Sequence, residues 1–171
     1  VPYMKGDIEL IDLLSHTSGL ALNGELDQVE PKSKRVYSNL GFETIDIFIK
    51  NKLYDEHNYS CVKDIFNDGF SQILNEDSKN NIEYYGSSAW GAKANIYALI
   101  SLARQMRKPT FLSEKMHARM QEIYLPELRG VVPGWGNYNH CSFGIGYEIK
   151  NDKTKHWMGS IASPKTFGHY G

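Results

Sequence analysis

The first segment whose residue types could do chemistry is Tyr37-Ser38-Asn39. A tight turn before a helix would place Tyr37 and Asn39 on one side, with Ser38 facing away. A tyrosine can act as a general base when a nearby cation lowers its pKa from about 10, and a neighbouring amide can hold a substrate carbonyl or N–H. For the triplet alone we favour a simpler interpretation, in which the ring packs and Asn39 caps the following helix.

Two further short segments each contain a histidine in an unusual setting. Phe167-Gly168-His169-Tyr170-Gly171 places a histidine among glycines, where it can donate to a carboxylate or transfer protons while a substrate approaches closely. By itself, His169 is more simply a satisfied histidine on an edge strand. The other segment, Leu13-Leu14-Ser15-His16-Thr17-Ser18-Gly19-Leu20, contains a turn, and we expect His16 to order that turn rather than to react.

The elements that must position these residues are helices first and strands last. Apolar periodicity and capping signals, including Asp7 as an N-cap, predict five helices. These helices are Asp7–Ser15, Gly41–Leu53, Ser60–Leu74, Ala94–Met106 and one capped by Ser113 that runs through Met120. Alternating residues predict strands at Ser142–Lys150, Thr154–Gly159 and Thr166–Gly171. The order predicts an α+β fold, with helices first and strands at the C-terminal end.

Two predictions concern packing near the end of the chain. Lys153 and Lys155, with Asp152, are predicted to form a solvated hairpin tip. Five aromatic residues could line a cleft, but we favour their packing between sheet and helices. These residues are Trp135, Tyr138, Tyr147, Trp157 and Phe167.

Composition narrows the function classes. The 171 residues are 41% hydrophobic and 23% charged, which fits one globular domain over 1–171. A net charge of -1 gives no reason to expect nucleic acid or an anionic membrane as a partner, and no stretch resembles a transmembrane helix.

Cys61 and Cys141 lack the spacing of a disulfide framework or a zinc site. No phosphate-binding loop, dinucleotide fingerprint, zinc-protease motif or Gly-x-Ser-x-Gly elbow occurs.

Taken together and in order, the three segments resemble the serine beta-lactamase-like family, which includes class C beta-lactamases, D-alanyl-D-alanine carboxypeptidases and related esterases. Leu13–Leu20 looks like that family's landmark between its nucleophile and its tyrosine, and Tyr37-Ser38-Asn39 looks like its Tyr-x-Asn motif. His169-Tyr170-Gly171 looks like the His-x-Gly variant of its Lys-Thr-Gly strand. Gly86-Ser87-Ser88-Ala89-Trp90-Gly91 is similar to a further family segment.

The resemblance implies roles for four residues. Tyr37 would help to activate the nucleophile and shuttle its proton, and Asn39 would contact the amide or ester side of the substrate. His169 would take the place of the strand's lysine, supporting the tyrosine or a substrate carboxylate. Gly171 would keep the strand backbone accessible to substrate. One oxyanion-hole N–H of the family lies just beyond this strand and is not among the 171 residues.

The nucleophile is the main departure from the family pattern. The family's Ser-x-x-Lys precedes the Leu13–Leu20 landmark, and we expect it to lie outside this chain, which we interpret as an internal piece of a longer protein. Ser60-Cys61-Val62-Lys63 has that spacing but follows the tyrosine motif. A chain with fourteen serines and fourteen lysines is expected to contain such a match by chance. We therefore interpret Ser60 as a helix cap.

The resemblance thus implies a mixed α and antiparallel β architecture, with antiparallel strands at the C-terminal end. It also implies a piece of a serine hydrolase that would form an acyl-enzyme with a beta-lactam, a D-Ala-D-Ala peptide or an ester, without cofactor or metal. The piece alone should be inactive. Small-molecule or peptide substrates are the expected partners, and the resemblance favours the cell envelope or secretion, with the cytoplasm still open. One alternative is a binding protein of the same fold that lacks the nucleophile. Another is an unrelated α+β domain, which separation of Tyr37 from His169 would indicate.

Overall fold

The computed structural model describes residues 6–23, 28–57, 62–74 and 81–170, with the backbone alone for 53–57, 62 and 70–72. The helices are α1 (Leu10–Leu14), α2 (Asn39–His57), α3 (Val62–Ile73), α4 (Ile96–Arg107) and α5 (Glu114–Met120). The strands are β1 (Arg35–Val36), β2 (Ile82–Ser87), β3 (Trp90–Ala94), β4 (Gly130–Val132), β5 (Gly136–Tyr138), β6 (Glu148–Ile149) and β7 (Phe167–Gly168).

Two compact units divide the chain. One contains the segments Val1–Thr44 and Ala118–Gly171, and the other contains Ile45–His117. All three segments singled out for chemistry belong to the first unit, so that unit positions the candidate site.

The first unit contains two small sheets. In one, β4 lies between β1, to which it is parallel, and β5, to which it is antiparallel. In the other, β6 pairs antiparallel with β7, with Glu148 opposite Gly168. The α+β class and the antiparallel pairing near the C-terminal end are confirmed.

A small apolar core lies beneath these strands. Val132, Cys141 and Phe143 are almost fully buried, and the partly buried rings of Tyr138 and Trp157 pack against them. Both aromatic residues therefore pack against the core, as predicted. The prediction was wrong for Trp135, which is 41% exposed because it lies at the surface.

The second unit is built around a β-hairpin that the sequence did not predict. β2 and β3 are antiparallel, with Tyr84 opposite Ala92, and Tyr84 stacks on Phe66 of α3 at 4.3 Å between ring centroids. Asn95 caps α4 by accepting a 2.9 Å hydrogen bond from the Ala98 N–H.

The helix predictions match five helices in the structure, although one cap was wrong. The first helix begins at Leu10 with Glu9, not Asp7, at its N-cap. The Glu9 N–H donates to Asp12 Oδ2 at 3.0 Å, so a carboxylate inside the first turn satisfies the helix start. Ser60 and Cys61 lie outside the described residues.

The strand predictions were too long, and one was wrong. Only Glu148–Ile149 of the first predicted strand is in a ladder. Residues 154–159 form turns instead, because their backbone bonds are local, as in the 2.9 Å bond from Gly159 N–H to His156 O. Of the described residues, none belongs to a helix long and apolar enough to cross a membrane.

Candidate active site

The Leu13–Leu20 landmark forms a buried polar turn. Ser15, His16, Thr17 and Ser18 are all nearly inaccessible to solvent. The buried Asp12 carboxylate accepts from Thr17 Oγ1 at 2.8 Å, and the Asp12 carbonyl accepts from the Thr17 and Ser18 N–H groups. Because every buried polar group needs a partner, this network holds the turn in one conformation.

Arg35 joins the landmark turn to the segments around Tyr124 and Cys141. Its guanidinium is buried and donates to the backbone carbonyls of Ser15, Tyr124 and Cys141. Desolvation lowers the pKa of Arg35 to about 10, which still leaves it charged at neutral pH. Since Arg35 lies two residues before Tyr37, this clamp fixes the strand that presents the tyrosine.

The first turn of α2 is capped by Ser38, not by Asn39 as the simpler interpretation had it. Ser38 Oγ accepts from the Gly41 N–H at 2.9 Å and donates to the Ala21 carbonyl at 2.7 Å. Asn39 instead donates its side-chain amide to Asn23 Oδ1 at 3.0 Å. Ser38 is buried, whereas Tyr37 and Asn39 are half-buried, so the triplet turns one residue inward and two outward.

Tyr37 and His169 lie together although 132 positions separate them. Their ring centroids are 5.5 Å apart, and His16 stacks on Tyr37 at 4.5 Å and lies 5.9 Å from His169. Phe42 and Phe143 complete this group of rings, which we call the His16 cluster. The separation of Tyr37 from His169 that would indicate an unrelated domain is not observed.

The phenol of Tyr37 is held as a hydrogen-bond donor. Its hydroxyl donates to the backbone carbonyl of Tyr170 at 3.2 Å. Burial, and then the negative charge of Glu148, raise the pKa of Tyr37 above its usual value. Among the described residues, therefore, the surroundings favour the neutral phenol over the phenolate.

His169 lies at the surface end of the cluster. Desolvation by the surrounding protein lowers the pKa of His169, while a hydrogen bond with the Tyr170 backbone and the charge of Glu148 oppose that change. The residue is exposed, which leaves it accessible to a ligand. Gly171 lies outside the described residues.

The Gly168 position shows why a glycine stands beside His169. A Cβ there would lie 3.0 Å from the indole of Trp157. The group that lies close to β7 at this position is therefore the indole of Trp157, which packs against the strand.

His16 is the residue whose part in the site the sequence did not reveal. Its Nδ1 accepts from the Ser38 N–H at 3.1 Å, so the proton of the neutral ring is on Nε2. Burial, with the positive charges of His169 and Arg35, holds the pKa of His16 well below its usual value. The only sequence signal was the apolar flanks of the turn, which indicate burial but not the partner.

A second buried group in the same unit surrounds Glu148. One carboxylate oxygen pairs with Lys153 at 3.1 Å and with His156 at 2.8 Å, and the other accepts from the Trp157 indole at 2.6 Å. We call these four residues the Glu148 cluster. The prediction of a solvated tip was wrong for Lys153, because this carboxylate and two backbone carbonyls hold its ammonium inside the protein.

A cleft of about 450 Å³ lies beside β5, with Trp135, Tyr138, His140 and Lys155 among its lining residues. Tyr37, Asn39 and His169 do not line it. The described residues contain no group of three or more His, Cys, Asp or Glu side chains arranged to hold a metal ion.

Comparison with solved structures finds a similar fold in a beta-lactamase from Mycobacterium bovis, with a TM-score of 0.79 and 31% sequence identity. The match covers 95% of this chain and 58% of that protein. No protein-family model matches the chain, and no curated protein matches it. The chain therefore has a beta-lactamase-like α+β fold and spans somewhat more than half the length of that mycobacterial beta-lactamase.

Proposed function

We propose that this chain is part of a serine hydrolase that cleaves an amide or ester through an acyl-enzyme. The observation that carries the proposal is the meeting of Tyr37, from the Tyr-x-Asn turn, with His169, from β7, on a beta-lactamase-like fold. A binding or catalytic site built from distant segments at one surface is the arrangement that such chemistry needs. The substrate is a beta-lactam, a D-Ala-D-Ala peptide or an ester.

Tyr37 relays a proton in this proposal. Its raised pKa keeps the phenol protonated at rest. To act, the phenol must first become a phenolate, which takes the proton of the attacking hydroxyl and then donates it to the leaving group. Taking that proton requires a nearby cation, which the lysine of a Ser-x-x-Lys motif would supply. The Tyr170 carbonyl that now accepts from Tyr37 holds the hydroxyl near β7.

The substrate lies along β7 in this proposal. His169 contacts a substrate carboxylate or supports Tyr37, and Gly171, which has no side chain, adds no bulk beside the substrate. Asn39 contacts the carbonyl or N–H next to the scissile bond. To do so, its side-chain amide must break its hydrogen bond to Asn23 or bond to Asn23 and the substrate at once.

We place the nucleophile in a Ser-x-x-Lys segment N-terminal to residue 1. The mycobacterial beta-lactamase is longer than this chain, which covers 58% of it, so a parent protein of that length has room for the segment. The serine oxygen bonds to the carbonyl carbon, the amine or alcohol leaves with a proton, and water then hydrolyses the acyl-enzyme. The 171 residues alone are expected not to be acylated.

The test is the hydrolysis of p-nitrophenyl esters and of a penicillin by the full-length protein and two variants. Tyr37→Phe removes the hydroxyl and should lower kcat by roughly 10²–10⁴-fold, the usual contribution of acid–base catalysis. Tyr97→Phe is the matched control, since Tyr97 is 76% exposed on α4, and its kcat should not change. Equal kcat values for wild type and Tyr37→Phe would exclude the proposed role of the tyrosine.

A non-catalytic binding protein of the same fold is the second candidate. The raised pKa of Tyr37 favours it, because the charge that acts on the phenol among the described residues is the negative one of Glu148. If the full-length protein has no Ser-x-x-Lys segment N-terminal to Leu13 and binds a penicillin without hydrolysing it, this candidate is identified.

A further inference from the structure

His16 has a backbone conformation that residues other than glycine rarely adopt. Its φ is 60°, in the left-handed region, and the residue is 1% exposed. Histidine and asparagine tolerate this region better than most residues, but it still costs free energy. A residue held in this way inside the protein calls for a reason beyond the filling of space.

The residues on both sides of Tyr37 form hydrogen bonds with His16. The His16 carbonyl accepts from the Val36 N–H at 3.0 Å, and the ring Nδ1 accepts from the Ser38 N–H at 3.1 Å. The residues before and after Tyr37 are therefore fixed by the backbone and the side chain of one histidine. Since Ser38 also precedes Asn39, the same contact sets where α2 begins.

The ring of His16 also contacts the tyrosine itself. The two rings are stacked, with 4.5 Å between centroids and 26° between planes. This geometry limits rotation of the phenol about its side-chain torsions, so the hydroxyl stays directed at the Tyr170 carbonyl.

One atom of His16 is left without a hydrogen bond. Within the described part of the chain, Nε2 is buried and has no partner. The ring of Phe143 lies edge-on to the imidazole at 5.2 Å. A phenylalanine would fill the same space without burying an unpaired N–H, so the nitrogen that matters for the structure is Nδ1.

We propose that His16 is a positioning residue for Tyr37, acting through the Ser38 N–H and through the stacked ring. The inference rests on the proposed function for its kinetic consequence, although the geometry it describes does not. His16 stays neutral, does not touch substrate and transfers no proton.

The first test is fluorine NMR of the full-length protein labelled with 3-fluorotyrosine. The resonance of Tyr37 is the one that Tyr37→Phe removes. His16→Asn keeps an acceptor near Nδ1 and tolerates the left-handed backbone, but it removes the ring, whereas His16→Phe keeps a ring and removes the acceptor. Each variant loses one of the two contacts, so each should shift or broaden the Tyr37 resonance.

The second test is kinetic and uses the same proteins. Both His16 variants should lower kcat for ester hydrolysis by about 10- to 100-fold with little change in KM, as expected for misplacement of a reacting group. His140→Asn is the matched control for the substitution, because His140 is half-exposed and pairs with Asp152 away from the cluster. It should leave the Tyr37 resonance and kcat unchanged.

The outcomes separate this inference from the proposed function. A folded His16 variant of either kind with a wild-type Tyr37 resonance and wild-type kcat overturns the inference. If the full-length protein hydrolyses nothing, the proposed function fails while the fluorine spectra still decide the positioning. If neither variant folds, nuclear Overhauser effects between the His16 and Tyr37 rings of the wild-type protein decide, and their absence overturns the inference.

Discussion

The His16 cluster and the Glu148 cluster lie in the same compact unit and solve the problem of buried polar groups in opposite ways. Around Glu148, burial is offset by opposite charge and hydrogen bonds, because one carboxylate oxygen pairs with buried Lys153 and His156 and the other accepts from the partly buried Trp157. Around His16, burial suppresses charge, since the pKa of that histidine is held well below its usual value. Tyr37 likewise has a raised pKa, so it too stays neutral.

The comparison separates a structural site from a candidate reactive one. The hydrogen-bonding capacity of Glu148 is used inside the protein, and the group is closed to solvent. The His16 cluster has an exposed histidine at its end and a tyrosine hydroxyl that donates to a backbone carbonyl. Groups that remain neutral and accessible can exchange partners with a substrate.

The largest effect should come from removing the charge at the centre of the Glu148 cluster. Glu148→Gln leaves the Lys153 ammonium buried without a counter-ion, which should lower the free energy of unfolding by about 3–5 kcal/mol. Urea denaturation measures this change.

Two variants control that measurement. Glu127→Gln removes a carboxylate that is 90% exposed and should have an effect near zero. Adding Lys153→Met to Glu148→Gln removes the unpaired charge and should recover part of the loss. A loss from Glu148→Gln no larger than that from Glu127→Gln would show that the cluster does not stabilise the fold.

Acidification should act on both clusters through their histidines. The folded-state pKa values of His16 and His156 are lowered, so below pH 6.5 the unfolded state binds more protons than the folded state. Stability is therefore complete above pH 6.5 and is lost as the pH falls, by about 1.4 kcal/mol per pH unit for each histidine that stays neutral.

The two histidines should differ in how far this loss extends. Glu148 favours the charged form of His156, whereas within the described part of the chain His16 is affected by burial and by the positive charges of His169 and Arg35. The unfolding free energy of the wild type should decrease as the pH falls from 7.5 to 5. His16→Asn should make this decrease smaller than His156→Gln does. Equal slopes in both variants and the wild type would contradict the account.

A smaller effect is expected at the start of α2. Ser38→Ala removes a buried cap and should cost about 1–2 kcal/mol of stability, measured by thermal denaturation. Ser113→Ala removes the 3.2 Å cap bond to the Met116 N–H at an exposed helix start and serves as the matched control. A Ser113 variant that is destabilised more than the Ser38 variant would show that Ser38 does not anchor the turn.

The sequence predicted the helices well because their signals are local. The predicted helix Ala94–Met106 differs from Ile96–Arg107 by two residues at most, since apolar periodicity and the following proline define it within one segment. Tyr37, Asn39 and His169 were found through ordered motifs, and two of the three lie in one cluster. The catalytic roles of these residues remain predictions.

The contacts that the sequence did not predict join residues that are separated along the chain. Lys153 was expected in solvent because its neighbours are polar, yet a carboxylate five positions earlier holds it in the interior. His16 gave no local sign that it would meet Ser38, 22 positions later, or the ring of His169. Burial of a charged or polar side chain depends on partners that periodicity does not encode.

The central claim, that Tyr37 and His169 belong to the active site of a serine hydrolase, is tested most directly by intact-mass labelling. The full-length protein is treated with a fluorophosphonate and, separately, with a penicillin. The account predicts one stoichiometric adduct, on a serine N-terminal to Leu13, and slower labelling in Tyr37→Phe than in Tyr97→Phe. The absence of an adduct on the folded protein, or an adduct on Ser60, would contradict it.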